Sequence, residues 1–165
     1  MRASGDDAYN SYIYDLSVKM NATLNSVTTI RFYDREASYS DEVLTLLRNA
    51  ESIFFAGGDQ NNYISFWTDT EVQNIIQSKL DRITIGGTSA GLAILGHWVY
   101  TGQYGSAYSD ESTLNPFNKF LTFAPALFQV PYLNHVITDT HFGNYHLLRL
   151  ASSQQQSNEN AWVAC

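Results

Sequence analysis

Cysteine is almost absent from this chain: Cys165, its last residue, is the only one among 165 residues. An intrachain disulfide is therefore excluded, and so is a zinc site built from several thiolates. Cations are also scarce, with nine Lys and Arg against sixteen Asp and Glu, for a formal net charge of −7. No basic cluster is present to neutralise phosphates, which argues against a nucleic-acid partner. Long hydrophobic runs are missing too. Nothing approaches the roughly 18 consecutive apolar residues of a membrane-spanning helix, so no membrane partner is expected. The opening Met-Arg-Ala-Ser-Gly-Asp-Asp lacks the apolar stretch of a secretory signal, and the chain is expected in the cytoplasm. An apolar fraction of 44% is that of a folded protein, and the length fits a single domain over residues 1–165 with one core.

Short β-branched or apolar runs alternate with amphipathic segments. Residues 27–32 (Val-Thr-Thr-Ile-Arg-Phe) read as a strand, and residues 41–50 as a helix capped by Ser40 or Asp41. The run at 52–56 is continuously apolar, as in a parallel strand buried on both faces. A helix over 70–80 and a strand over 83–85 follow, then a helix from Ala90 to about Val99. Residues 101–115 read as a loop, 120–123 as a strand, and 124–132 as an irregular packed segment. Residues 135–139 read as a strand, 142–152 as a helix, 152–160 as a polar tail, and 161–164 as the opening of a further strand. The alternation predicts an α/β fold with helices crossing between parallel strands.

The most informative stretch is Ile83-Thr84-Ile85-Gly86-Gly87-Thr88-Ser89-Ala90-Gly91. A β-branched run stops at two glycines, a serine follows, and an apolar helical segment begins. This is the strand–turn–helix layout of G-x-S-x-G, in which the turn makes a serine Oγ stand out at a strand end. A glycine turn of this kind also suits phosphate binding or plain close packing. A nucleophile needs a base, and the histidines are His97, His135, His141 and His146. His141 follows the 135–139 strand, so it and Ser89 both fall at strand ends, where the ligands of parallel sheets gather. His97 falls on the predicted elbow helix, two turns away. Backbone N–H groups at Ala90 and in Gly57-Gly58 are suited to an oxyanion. Asp59 and Gln60 suit either a helix cap or a substrate contact.

Phe-Ala-Gly-Gly-Asp-Gln at 55–60, Gly-Gly-Thr-Ser-Ala-Gly at 86–91 and Asp-Thr-His-Phe at 139–142 together resemble the cyanophycinase-like serine peptidases. The likeness runs from about Arg2 to Arg149. It implies a three-layer α/β/α domain with a mostly parallel sheet, of the class I glutamine-amidotransferase-like (flavodoxin-like) type. It also implies Ser89 as nucleophile, His141 as general base, and backbone at Gly58 and Ala90 as the oxyanion hole. Gln60, Asp59, Asp139 and Arg149 would line the substrate site. Glu111, in the segment Ser109-Asp110-Glu111, aligns with an acidic or amide position near the nucleophile. The implied reaction is acyl transfer to water at a peptide or isopeptide bond, with a small peptide substrate and neither metal nor cofactor. Homodimers are common in this fold and are one expected assembly. Two departures stand out. Tyr145 and Leu147 occupy places where the family carries arginines, leaving Arg149 one residue out of register. The family's first strand would precede Arg2, and its histidine-orienting acid would follow Cys165, so the chain reads as an internal segment in which Glu111 or Asp110 would have to substitute. An inactive binding homologue and a non-peptidase esterase or amidohydrolase remain open alternatives.

Overall fold

A computed structural model describes residues 1–3, 5–115, 117–140 and 162–164, with backbone alone for 109, 110, 113 and 162–164. Two parallel strands carry the serine turn. β1 (Ser52–Phe55) pairs with β2 (Thr84–Gly87), placing Ile53 opposite Ile85 and Phe55 opposite Gly87. The Thr88 N–H donates to Phe55 O at 3.0 Å and carries the ladder up to Ser89. Along the other edge of β1, the Ala56 N–H donates to Met1 O, and Arg2 forms a parallel bridge with Arg31. The strand expected at 27–32 is thus reduced to that one bridge. Only the Ile30 carbonyl and the Phe32 N–H engage Arg2 there.

The second sheet runs β4–β3–β5–β6. β3 (Trp98–Tyr100) is parallel to β5 (Val136–Thr138) and antiparallel to β4 (Phe123–Pro125), and β5 is parallel to β6 (Trp162–Ala164). β4 lies further along than the expected 120–123. It occupies an edge, where Pro125 forfeits no ladder bond.

The expected helix over 90–99 is corrected. α5 covers only Ala90–Ala93, and the chain then enters β3. Thr138 Oγ1 donates to Leu92 O at 2.7 Å and reaches Ala93 O at 3.2 Å, capping the carbonyls at the helix end. Gly96 lies against β5 so closely that a Cβ there would meet Thr138 N at 2.8 Å. The His97 N–H donates to Val136 O, so His97 opens a strand instead of riding the elbow helix.

α2 (Asp41–Asn49) and α4 (Glu71–Gln77) follow the expected periodicity. Thr70 caps α4 with its side chain, whereas Ser40 precedes α2 without such a bond. Three further elements carry no clear sequence signal: α1 (Tyr9–Lys19), a 3-10 turn at Glu36–Tyr39, and α3 (Gln60–Trp67). The loop expected at 101–115 contains α6 (Ser109–Leu114). The core gathers around Trp67, whose ring stacks on Tyr63 at 4.6 Å and meets Phe32 and Phe55 at 5.2 and 5.7 Å. All four are fully buried, and β1, which pairs with the serine-bearing β2, contributes Phe55 to this cluster. The helix expected over 142–152 and the tail over 152–160 lie outside the described residues. Among the described residues no helix is long and apolar enough to cross a membrane.

Candidate active site

Ser89 sits between β2 and α5 with φ 51° and ψ −124°. A side chain with a Cβ adopts such a backbone at a cost of about 1–3 kcal/mol, so packing must enforce it. Glycines supply that enforcement by letting backbone approach backbone. A Cβ at Gly87 would lie 2.3 Å from Gly91 O, and one at Gly91 would lie 2.1 Å from Phe55 O. A Cβ at Gly57 would come within 3.1 Å of Ser89 Cβ. The Gly91 N–H donates to Thr88 O, and both Leu92 and Ala93 donate to Ser89 O, so the turn closes directly into α5.

Ser89 and Ala90 open onto a cleft of about 280 Å³. Gly58, Asp59 and Gln60 form one wall, the segment containing Gly102, Gly105 and Ser106 another, and Thr140 also lines the cleft. Neither the Gly58 nor the Ala90 N–H donates to an acceptor among the described residues. Gly58 has φ 148°, which favours glycine. Two such donors beside a serine at the start of a helix can hold a developing oxyanion.

Asp59 lines the cleft and also caps α3, its Oδ1 accepting from the Asn61 N–H at 2.8 Å. Both roles left open by the sequence are therefore available to it. Gln60, the first residue of α3, lies across from Gly102, where a Cβ would meet its Nε2 at 3.1 Å. Asp139 is buried, and its Oδ1 accepts from the Thr140 N–H at 2.8 Å; it is not among the residues lining the cleft. Glu111 lies on α6, exposed and likewise outside the cleft lining. His141 and Arg149 fall outside the described residues. His97 and His135 approach each other, with ring centroids 5.8 Å apart, next to β3 and β5 at the end of β5 away from Thr140.

Sequence reasoning missed the wall containing Tyr100, Gly102, Gly105 and Ser106. The Tyr100 hydroxyl donates to Gly105 O at 2.9 Å and accepts from the Ala107 N–H at 3.1 Å, and the Thr101 hydroxyl bonds that of Thr122. The one available signal was the pair Gly102 and Gly105, both at positive φ, inside a Tyr- and Ser-rich segment. Among the described residues no group of three or more His, Cys, Asp or Glu is placed to hold a metal ion.

A strained serine at the carboxyl end of a parallel strand, with helix N–H groups beside it, is the arrangement of nucleophile-elbow hydrolases of the α/β class. The family model for peptidase family S51 matches residues 3–154, and the chain belongs to that family. It is 32% identical over 128 residues to the cyanophycinase of Trichormus variabilis, covering 76% of this chain and 39% of that protein. To the cyanophycinase of Geminocystis herdmanii it is 33% identical over 160 residues, covering 95% of this chain and 53% of that protein. The chain thus spans about 39–53% of the length of these relatives.

Proposed function

We propose that this chain carries the nucleophile and oxyanion site of a serine-type peptidase that cleaves a peptide or isopeptide bond. The single observation that carries the reading is the backbone of Ser89, held at φ 51° and ψ −124° between β2 and α5 and opening onto the cleft. In this reading Ser89 Oγ attacks the scissile carbonyl while its proton passes to His141. The tetrahedral oxyanion accepts hydrogen bonds from the Gly58 and Ala90 N–H groups. Collapse breaks the C–N bond, the amine leaves with the proton from His141, and water then hydrolyses the Ser89 ester by the reverse proton route. No metal or cofactor enters these steps. The names of the relatives favour a cyanophycin-like isopeptide. Tyr145 and Leu147, standing at expected arginine positions, favour a substrate held with less carboxylate pairing.

The test is labelling with a fluorophosphonate probe, with circular dichroism to establish folding. Labelling should be lost in Ser89→Ala and fall at least 100-fold in His141→Ala. Equal labelling of Ser89→Ala would refute the serine mechanism. A second reading, a binding homologue that keeps the cleft, is favoured by one observation: Glu111 does not line the cleft. Wild-type protein that is folded yet unlabelled would select it.

A further inference from the structure

The sequence gives no reason to single out Tyr63, which sits in the core on α3 at 0% exposure. Its ring is fixed by stacking on Trp67. Its hydroxyl reaches Ala56 O at 2.6 Å and Gly57 O at 3.3 Å, the two carbonyls that lead into the Gly58 turn. A trans peptide is planar, and its C=O and following N–H point in opposite directions. Turning the Gly57 carbonyl toward the buried phenol therefore turns the Gly58 N–H away from it, and Gly58 lines the cleft beside Ser89. The same logic turns the Gly57 N–H away from the core. Asp59 fixes the far end of the turn by capping α3, the helix that carries Tyr63.

Resting on the serine reading above, we infer that Tyr63 is a positioning residue for the oxyanion hole. Its O–H holds the Ala56 and Gly57 carbonyls and so aims the Gly58 N–H at the anion formed on attack by Ser89. Burial pushes the phenol up to about 12, with smaller opposing contributions from the Ala3 backbone and Arg2, so it remains a donor at every working pH. Glycine at 57 and 58 leaves the turn free to swing, and the phenol restrains it.

The experiment compares the second-order rate of fluorophosphonate labelling in wild type, Tyr63→Phe and Ile76→Val, each normalised to its folded fraction. Ile76 is fully buried in α4, a different helix from the one that carries Tyr63, and stands for a core defect that removes no polar group. Removing an oxyanion donor outright costs about 10²–10³ in rate, and loosening its aim should cost about tenfold or more. Tyr63→Phe should lower the plateau of the pH–rate profile by at least that factor and leave its midpoint in place, because the midpoint belongs to the base. Ile76→Val should stay within about threefold of wild type. If Tyr63→Phe is only partly folded, the comparison is made in trimethylamine N-oxide, which favours the compact state. A Tyr63→Phe rate within threefold of wild type, or an equal fall in Ile76→Val, overturns the inference and leaves the serine reading intact. Absence of labelling in folded wild type overturns the serine reading itself and this inference with it.

Discussion

Gly91→Ala sets two physical effects of opposite sign against each other. Gly91 lies within α5, where replacing glycine by alanine normally gains about 1 kcal/mol of helix propensity. The new Cβ, however, would lie 2.1 Å from Phe55 O, 2.5 Å from Phe55 C and 2.7 Å from Ala56 O. An ordinary C···O approach is about 3.3–3.6 Å, so α5 would have to withdraw from β1 by roughly 1.2 Å or more. All three obstructing atoms are backbone atoms, at the end of β1 and in the residue after it, and cannot rotate away. Overpacking of this kind costs about 1–3 kcal/mol and here belongs at or above the upper end. The contact therefore wins by about 2 kcal/mol, a fall of roughly 4–8 °C in Tm for a chain of this size. Urea unfolding should show a lower midpoint at an unchanged slope. In the folded fraction, withdrawal of α5 moves Ser89 relative to Gly57 and Gly58, and phosphonate labelling should drop on the order of 100-fold. A Gly91→Ala protein as stable as wild type, or more so, would refute the close strand–helix packing on which the serine turn is built.

Asp59→Ala should cost about 1 kcal/mol through loss of the α3 cap, and Asp59→Asn should recover most of it; urea midpoints decide, and equal loss in both would count against the cap. Thr138→Val removes the donor to Leu92 O and Ala93 O and should cost about 1–2 kcal/mol in thermal unfolding, whereas an unchanged Tm would show that α5 does not depend on β5. Tyr63 supplies a pH test. Below pH 10 its phenol is protonated in both states and its contribution is fully present. Above pH 10 the unfolded chain ionises while the folded phenol holds its proton to about 12, so stability is lost across that window, by roughly 2–3 kcal/mol in all. Tyr63→Phe should decline less steeply with pH over the same range, and identical slopes would show that the phenol is not protected by burial.

The elements legible in the sequence are those whose signal is local. β1 is a continuous apolar run and β2 a β-branched one, each ended by glycines, and α2 and α4 carry apolar residues at helical spacing. The helix drawn from Ala90 to Val99 was too long for a different reason. A run such as Ala-Ile-Leu-Gly-His-Trp-Val is apolar in either conformation, and what ends α5 is Thr138, some 45 residues away in sequence. β4 was misplaced because the pairing that defines it, Val99 opposite Ala124, is likewise non-local. α1 exposes Tyr12, Tyr14 and Val18 and lacks a clean apolar stripe, which is why its periodicity was silent.

The same division runs through the site. Ser89, Ala90 and Gly58 were legible because strand–glycine–serine–glycine–helix is a contiguous pattern whose geometry is written into its residue types. Asp59 was legible as a possible cap because Asp is a favoured N-cap residue, although α3 itself carries no clear sequence signal. The opposite wall of the cleft was not legible. Nothing local says that Tyr100 will reach over to Gly105 and Ala107, or that Gly102 will settle against Gln60. Tyr63 is the sharpest case. In sequence it is one of eleven tyrosines, six residues beyond Gly57. Only the fold reveals that its hydroxyl meets the Ala56 and Gly57 carbonyls, the second of which shares a peptide plane with the Gly58 N–H. A motif specifies which groups are present at the serine, and the packing of α3 against β1 specifies their aim. If that is right, variants in the core layer under the turn will divide into two sets. Ile76→Val and its like will change stability alone, and Tyr63→Phe will change the rate at a given stability.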